Sequence, residues 1–152
     1  MVTVTDMVMD TEKTTKNRGL TIAVDFDGTI VEHKYPAIGR EKPFAVETLK
    51  ALLADGHRLI LWSARDGNLL QEAIEWCRKR GLEFYAVNSS HPADYMFQGR
   101  SDKSSKVIAD IYIDDRNLGG LPDWGDIYDM ISGMRRPRRH RPWYKRIFRR
   151  HR

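Results

Sequence analysis

The sequence predicts a three-layer α/β domain, with helices on both faces of a mainly parallel sheet. Three observations carry this. Short apolar runs rich in β-branched or aromatic residues recur at 20–26, 57–63, 82–87 and 109–114. Segments with helical apolar spacing separate the first three runs, so each crossover between parallel strands has its helix. The chain's 152 residues suit one domain around one core. Strand–helix–strand order implies right-handed crossovers and hence a Rossmann-like layering.

Taken in order, residues 1–19 are rich in threonine and charge without a sustained period, and read as a disordered leader, with "VTVTDMVM" as an alternative short strand. "LTIAVDF" is the first strand. "KPFAVETLKALLADG" is a helix, with Pro43 in its first turn, Phe44, Leu49, Leu52 and Leu53 on its apolar face and Gly56 at its C-terminal cap. "HRLILWS" is the second strand. "DGNLLQEAIEWCRKRG" is the second helix, with Asp66 as N-cap, a basic last turn and Gly81 as stop. "LEFYAV" is the third strand, followed by a polar loop from Asn88 to about Lys103 that holds at most a turn of helix. "ADIYID" is the fourth strand, and "WGDIYDMISGM" a final helix.

Composition excludes several classes. No run approaches the roughly 20 apolar residues of a membrane span, and the start lacks the pattern of a secretory signal. The single cysteine, Cys77, cannot form an internal disulfide and fits a reducing cytoplasm, the expected compartment. It reads as an ordinary helix residue. The net charge of +5 hides an asymmetry: residues 135–152 hold ten of the 26 Lys and Arg and no acid. Without that tail, 16 basic residues face 21 acidic ones, so the body is acidic. The tail interleaves Trp143, Tyr144 and Phe148 with its cations, which suits nucleic acid, an anionic surface, or docking on an acidic body of its own or a neighbouring subunit.

In an open parallel sheet, ligands bind outside the carboxyl ends of the strands. Chemistry-bearing residues sit at those ends: Asp25 and Asp27 after the first strand, Ser63 after the second, Asp114 and Asp115 after the fourth. Aspartate is a poor strand former and costly near a core, so its recurrence there points to a site. "DFDGT" (Asp25 to Thr29), Ser63 in "LILWSAR", Lys106 in "DKSSKVIADIYIDD" and "YIDD" with Asp114 and Asp115 resemble, in order, the four motifs of the haloacid dehalogenase superfamily. The resemblance covers about Leu20 to Met134, giving a catalytic domain at 20–134 between the leader and the tail.

That resemblance implies a Mg²⁺-dependent phosphatase. Asp25 would attack phosphorus to form an aspartyl-phosphate, and Asp27 would act as acid and then base. The resemblance assigns Ser63 and neighbouring N–H groups to the phosphoryl oxygens, and Lys106, with Lys103 as competitor, to charge compensation. Residue chemistry supports this: i and i+2 in a strand face the same way, and a carboxylate attacking an anionic ester needs a cation, which acidic residues can hold. Asp25 and Asp114 are the expected side-chain ligands, with Asp115 a ligand or a residue behind one; the resemblance adds the backbone carbonyl of Asp27. Thr29, Ser63, Ala64, Arg65, Lys106 and Arg116 are the candidate substrate-binding residues. Arg65 and Arg116 suit a second anionic group of the substrate, or helix-surface ion pairs. His33, His57 and His91 read as surface histidines.

The gaps between motifs, 30–42 and 64–105, are too short for a cap domain with its own core. The resemblance is therefore to the capless class, with a flap at 30–42, where Lys34 and Tyr35 are substrate contacts, and a site open to bulky phosphorylated substrates or closed by another subunit. A phosphotransferase is a close variant. The rivals of a different kind are a non-catalytic binding module acting through the basic tail, and a phospho-receiver domain, which also combines an aspartate, Mg²⁺ and a lysine.

Overall fold

The structure is a computed structural model that describes residues 19–95 and 106–134. Residues 1–18 of the expected leader, Lys103 and the basic tail at 135–152 lie outside the described residues. The elements run β1 (Thr21–Val24), α1 (Ala45–Ala54), β2 (Arg58–Leu61), α2 (Gly67–Arg78), β3 (Ala86–Val87), α3 (Pro92–Tyr95), β4 (Ile111–Ile113) and α4 (Trp124–Met134). All four strands pair in parallel, in the order β3–β2–β1–β4. This is an α/β, Rossmann-like sheet. The chain divides into two compact units, one reaching Leu121 and the other starting at Pro122, within the span 20–134 that the sequence groups together. Among the described residues no helix is long and apolar enough to cross a membrane.

The central strands explain why the apolar runs are continuous rather than alternating. A parallel sheet is covered on both faces, so neither set of side chains meets water. Ile22, Ala23 and Val24 of β1, and Leu59, Ile60 and Leu61 of β2, are all fully buried. Each large side chain among them contributes roughly 1.5–3 kcal/mol by leaving water. One face carries a row across the register, Tyr112–Ala23–Ile60–Ala86, with Val107 packed into it. The strands at the sheet edges, with one neighbour each, are the shortest. β3 keeps two residues of the six-residue run, although Tyr85 N–H and Asn88 N–H still donate to Leu59 O and Leu61 O on either side.

Helix α1 closes as its sequence predicts. Gly56 N–H donates to Leu53 O and His57 N–H to Leu52 O, the paired bonds of a Schellman cap. Its start differs from expectation. Phe44, not Pro43, occupies the N-cap, with a left-handed φ of 62°, so Pro43 precedes the helix. Phe44 consequently leaves the apolar face and is 70% exposed, while Leu49 and Leu52 are buried. Helix α2 begins after Asp66 as expected, but the Asp66 side chain makes no capping hydrogen bond. Cys77 is buried on α2, and burial pushes its thiol up to about 12, which keeps it inert. His57, expected at the surface, is 3% exposed and accepts a hydrogen bond from Leu20 N–H at 3.0 Å. In the second unit, α4 buries Trp124, Ile127 and Ile131, spaced as one helical face.

A bulky exposed side chain held at φ 62° sits where glycine carries no penalty, so Phe44→Gly is expected to stabilise the protein by about 1 kcal/mol. A higher urea midpoint at unchanged slope is the measurement that checks it.

Candidate active site

Strand order reverses between β1 and β4: from β1 the chain steps outward through β2 and β3, then returns to pair β4 on the other side. At that point the strands' carboxyl ends splay and leave a crevice. Two ladder bonds frame it, Asp25 N–H to Ile113 O and Trp62 N–H to Val24 O, each 2.9 Å. A cavity of about 590 Å³ opens there, lined by Asp25, Asp27, Ser63, Ala64, Arg65, Asp114 and Arg116 together with His33, Tyr35 and Trp62. Residues from positions 25 to 116 thus converge on one edge. Asp25 and Asp27 converge for a different reason than strand alternation, since β1 ends at Val24. The chain instead turns: Phe26 O accepts from Ile30 and Val31 N–H, and Gly28 N–H donates to Val31 O.

Asp25 belongs to an acidic cluster. Carboxylate oxygens of Asp25, Asp114 and Asp115 lie within 4.8 Å of one another. Thr29, fully buried beneath them, connects two of the three: its hydroxyl donates to Asp25 Oδ2 at 2.8 Å and accepts from Asp115 N–H at 3.0 Å. Thr29 is therefore a support for Asp25 and not a wall of the cavity, contrary to its place among the expected substrate contacts. Asp114 Oδ1 accepts from Arg116 N–H at 2.9 Å. Burial, and beyond it the charges of Asp114 and Asp115, push the Asp25 carboxyl from 3.8 up to about 6, against the hydrogen bonds from Thr29 and the Phe26 backbone. Gly28 makes the crowding sterically feasible. It has φ +89°, and a Cβ there would lie 2.4 Å from Asp115 Oδ2.

Asp27 lies apart from this cluster. Its two oxygens accept from Arg65 Nε at 2.6 Å and Nη2 at 2.7 Å, a bidentate fork. Arg65 is 2% exposed, so it is neither a helix-surface ion pair nor a cation free for a substrate anion. The hydrogen bonds to Asp27 raise the guanidinium further above its ordinary range. The remaining contacts of Arg65 go to the flap, whose stem is laced by Glu32 N–H to Arg40 O and Lys42 N–H to Ile30 O. Arg65 Nη1 donates to Pro36 O at 3.0 Å and Nη2 to Ala37 O at 2.9 Å. Tyr35, joined to Pro36 by a cis peptide bond, and Phe26 each set a ring 5.4 Å from the guanidinium. Gly39 is needed where the flap's two arms touch, since a Cβ would lie 1.9 Å from Glu32 O.

Ser63 lines the cavity and its hydroxyl accepts from Arg65 N–H at 3.2 Å. Its backbone is clamped by Asn88, which accepts from Ser63 N–H at 2.8 Å and donates to Ser63 O at 2.9 Å from a left-handed conformation (φ 47°). Asn88 was not singled out from the sequence, although its place directly after β3 was a signal. Trp62 and His33 also line the cavity without having been expected there. Tyr35, expected as a substrate contact, is among the lining residues; Lys34 is not. Lys106 is not brought to the cavity: it is exposed, with Nζ 5.8 Å from the centre of the Tyr112 ring. Tyr112 in turn packs on Trp62 at 5.3 Å, so Lys106 stands one ring behind the cavity wall.

A solved structure described as that of a conserved protein from Bacteroides thetaiotaomicron is similar to this chain, at 64% sequence identity and a TM-score of 0.70, covering 77% of this chain and 93% of that one. No protein-family profile matches the chain, and no curated protein matches it.

Because Asp25 is held above its ordinary range, its ionisation opposes folding at neutral pH. That cost is full above about pH 6 and is relieved as pH falls towards 4. In chelator, Asp25→Asn is expected to be more stable than wild type at pH 7, by an amount on the order of 1–2 kcal/mol once solvent screening is allowed for. Urea denaturation at pH 7 and pH 5 checks this, the gap narrowing at the lower pH. Gly28→Ala is expected to displace Asp115 and to cost about 2 kcal/mol or more in the same assay.

Proposed function

We propose that this chain, which belongs to the family of the conserved Bacteroides thetaiotaomicron protein, is a Mg²⁺-dependent phosphomonoesterase of the haloacid dehalogenase type, three-layered and capless, with Asp25 as nucleophile. The observation that carries this reading is the gathering of Asp25, Asp27, Ser63 and Asp114 in one cavity at the strands' carboxyl edge. The three carboxylates stand in that same cavity region, and the burial of Asp25 among them opposes folding, which supports a chemical use for the cluster.

The donor set fits a hard divalent cation. Three carboxylates with oxygens within 4.8 Å can share one ion, and Mg²⁺ prefers oxygen ligands with a few positions left to water and phosphate. Asp25, Asp114 and Asp115 would hold it; the Asp27 side chain, taken up by Arg65, would not, which leaves its backbone carbonyl as the ligand the resemblance assigns. When bound, the ion offsets the repulsion between the Asp25 carboxylate and an anionic ester and polarises the phosphoryl group.

The chain's own residues supply the rest. An Asp25 oxygen forms a bond to phosphorus as the bond from phosphorus to the leaving oxygen breaks, and Asp27 gives a proton to that oxygen. Thr29 occupies Asp25 Oδ2, which directs the other oxygen at the substrate. Asp27 then takes a proton from water, whose oxygen displaces the Asp25 carboxylate and releases inorganic phosphate. Ser63, fixed by Asn88, presents its hydroxyl to the phosphoryl oxygens. Arg116, exposed on the cavity wall, faces a further anionic group of the substrate, and Trp62 and Tyr35 provide flat apolar walls for its body. The flap takes the place of a cap in excluding water.

With p-nitrophenyl phosphate and Mg²⁺, wild type is expected to turn over and Asp25→Asn to lose about 10³-fold or more in kcat, while chelator silences wild type. Turnover by Asp25→Asn at the wild-type rate would sink the assignment. A panel of phosphate esters then ranks substrates by kcat/KM.

A further inference from the structure

The buried arginine carries an inference beyond this reading, although it rests on Asp27 being the acid. We infer that Arg65 is a positioning residue that ties Asp27 to the flap, so that the orientation of the acid and the seating of the flap tip are one variable.

All three guanidinium nitrogens of Arg65 are engaged within the protein. Nε and Nη2 fork onto Asp27, Nη1 reaches Pro36 O, and Nη2 also reaches Ala37 O. At 2% exposure the guanidinium is shut off from solvent, and four of its five N–H groups are spent on Asp27 and the flap. Besides the two stem bonds and the exposed Arg40–Glu32 pair across them at 2.8 Å, the flap is held at its far arm by Glu41, which pairs with Arg80 at 3.0 Å. Residues 33–37 are exposed, and Arg65 reaches the tip from below through carbonyls, whose positions do not depend on the flap's side chains. A planar fork fixes the Asp27 carboxylate in orientation as well as place, which a lysine's single ammonium does not do. Each carboxylate oxygen keeps a lone pair free of the fork, and Asp27 remains on the cavity wall, so the fork aims Asp27 without removing it from the reaction. A displaced flap draws Arg65 with it, and Asp27 loses its aim.

The test uses the full chain with Arg65→Met and Arg65→Lys, and two readouts. The first is kcat/KM for two esters, p-nitrophenyl phosphate, whose leaving group needs little protonation, and an alkyl phosphate, which depends on an acid. Both variants are expected to lose about 10³-fold on the alkyl ester against about tenfold on the aryl ester, with KM for the aryl ester within about threefold of wild type. The second is hydrogen exchange at Glu32 and Lys42, whose amides close the flap stem, expected to quicken about tenfold in both variants. Equal losses on the two esters, or unchanged exchange, would overturn the inference. Should Arg65→Met fail to fold, Arg65→Lys keeps charge and stem while losing the fork, and it carries both readouts. A wild type inert towards both esters in Mg²⁺ would overturn the phosphatase reading instead, and exchange alone would still decide whether Arg65 pins the flap.

Discussion

A guanidinium taken out of water must find a partner for nearly every N–H, and Arg65 finds its partners on two other stretches of chain. It leaves the loop after β2, forks onto Asp27 beyond β1, and reaches the carbonyls of Pro36 and Ala37 in the flap. Such a buried pair contributes little net stability, because desolvation offsets much of the attraction. Losing one partner is another matter, at about 3–5 kcal/mol, since the remaining charge is then stranded. The arrangement therefore favours one geometry over its neighbours more than it deepens the fold. Three segments of chain are brought to a common position by one side chain.

The same sheet edge shows the opposite electrostatic solution a few ångströms along the chain. Asp27 is neutralised by a cation within the protein. Among the described residues no ion pair reaches Asp25, Asp114 or Asp115, and burial and mutual repulsion hold Asp25 up at about 6. Gly28, the only residue type without a side chain to collide with Asp115, lets the crowding form. Two aspartates two residues apart thus occupy contrasting environments. The two carboxylates differ in what they face: Asp27 meets a guanidinium of its own chain, Asp25 meets two further carboxylates.

Packing reinforces the arrangement from behind. Phe26, between the two aspartates, is fully buried with its ring edge-on to Trp76 of α2 at 5.6 Å. Arg80 stacks on the other part of that contact, 3.6 Å from the Trp76 ring centre, and pairs with Glu41 in the flap's far arm. The flap is thereby anchored to a helix at one end and to the cavity floor at the other. Binding elements placed on rigid neighbours in this way hold their geometry better than free loops do.

Local rules of the chain determined a good part of this. Unbroken apolar runs announced strands buried on both faces, Gly56 and Gly81 marked where helices stop, and aspartates at strand ends announced the edge where a site forms, because burial, handedness and turn chemistry act over a few residues. Tertiary structure decided which charges meet. Arg65 looked like a ligand for anions until Asp27, 38 residues away, claimed it; His57 and Thr29 became interior groups; Asn88 became the clamp on Ser63; Lys106 settled beside Tyr112 rather than in the cavity. Spacing along a chain fixes which edge a residue reaches, but the partner of a long side chain depends on distances between segments that only the packed core sets.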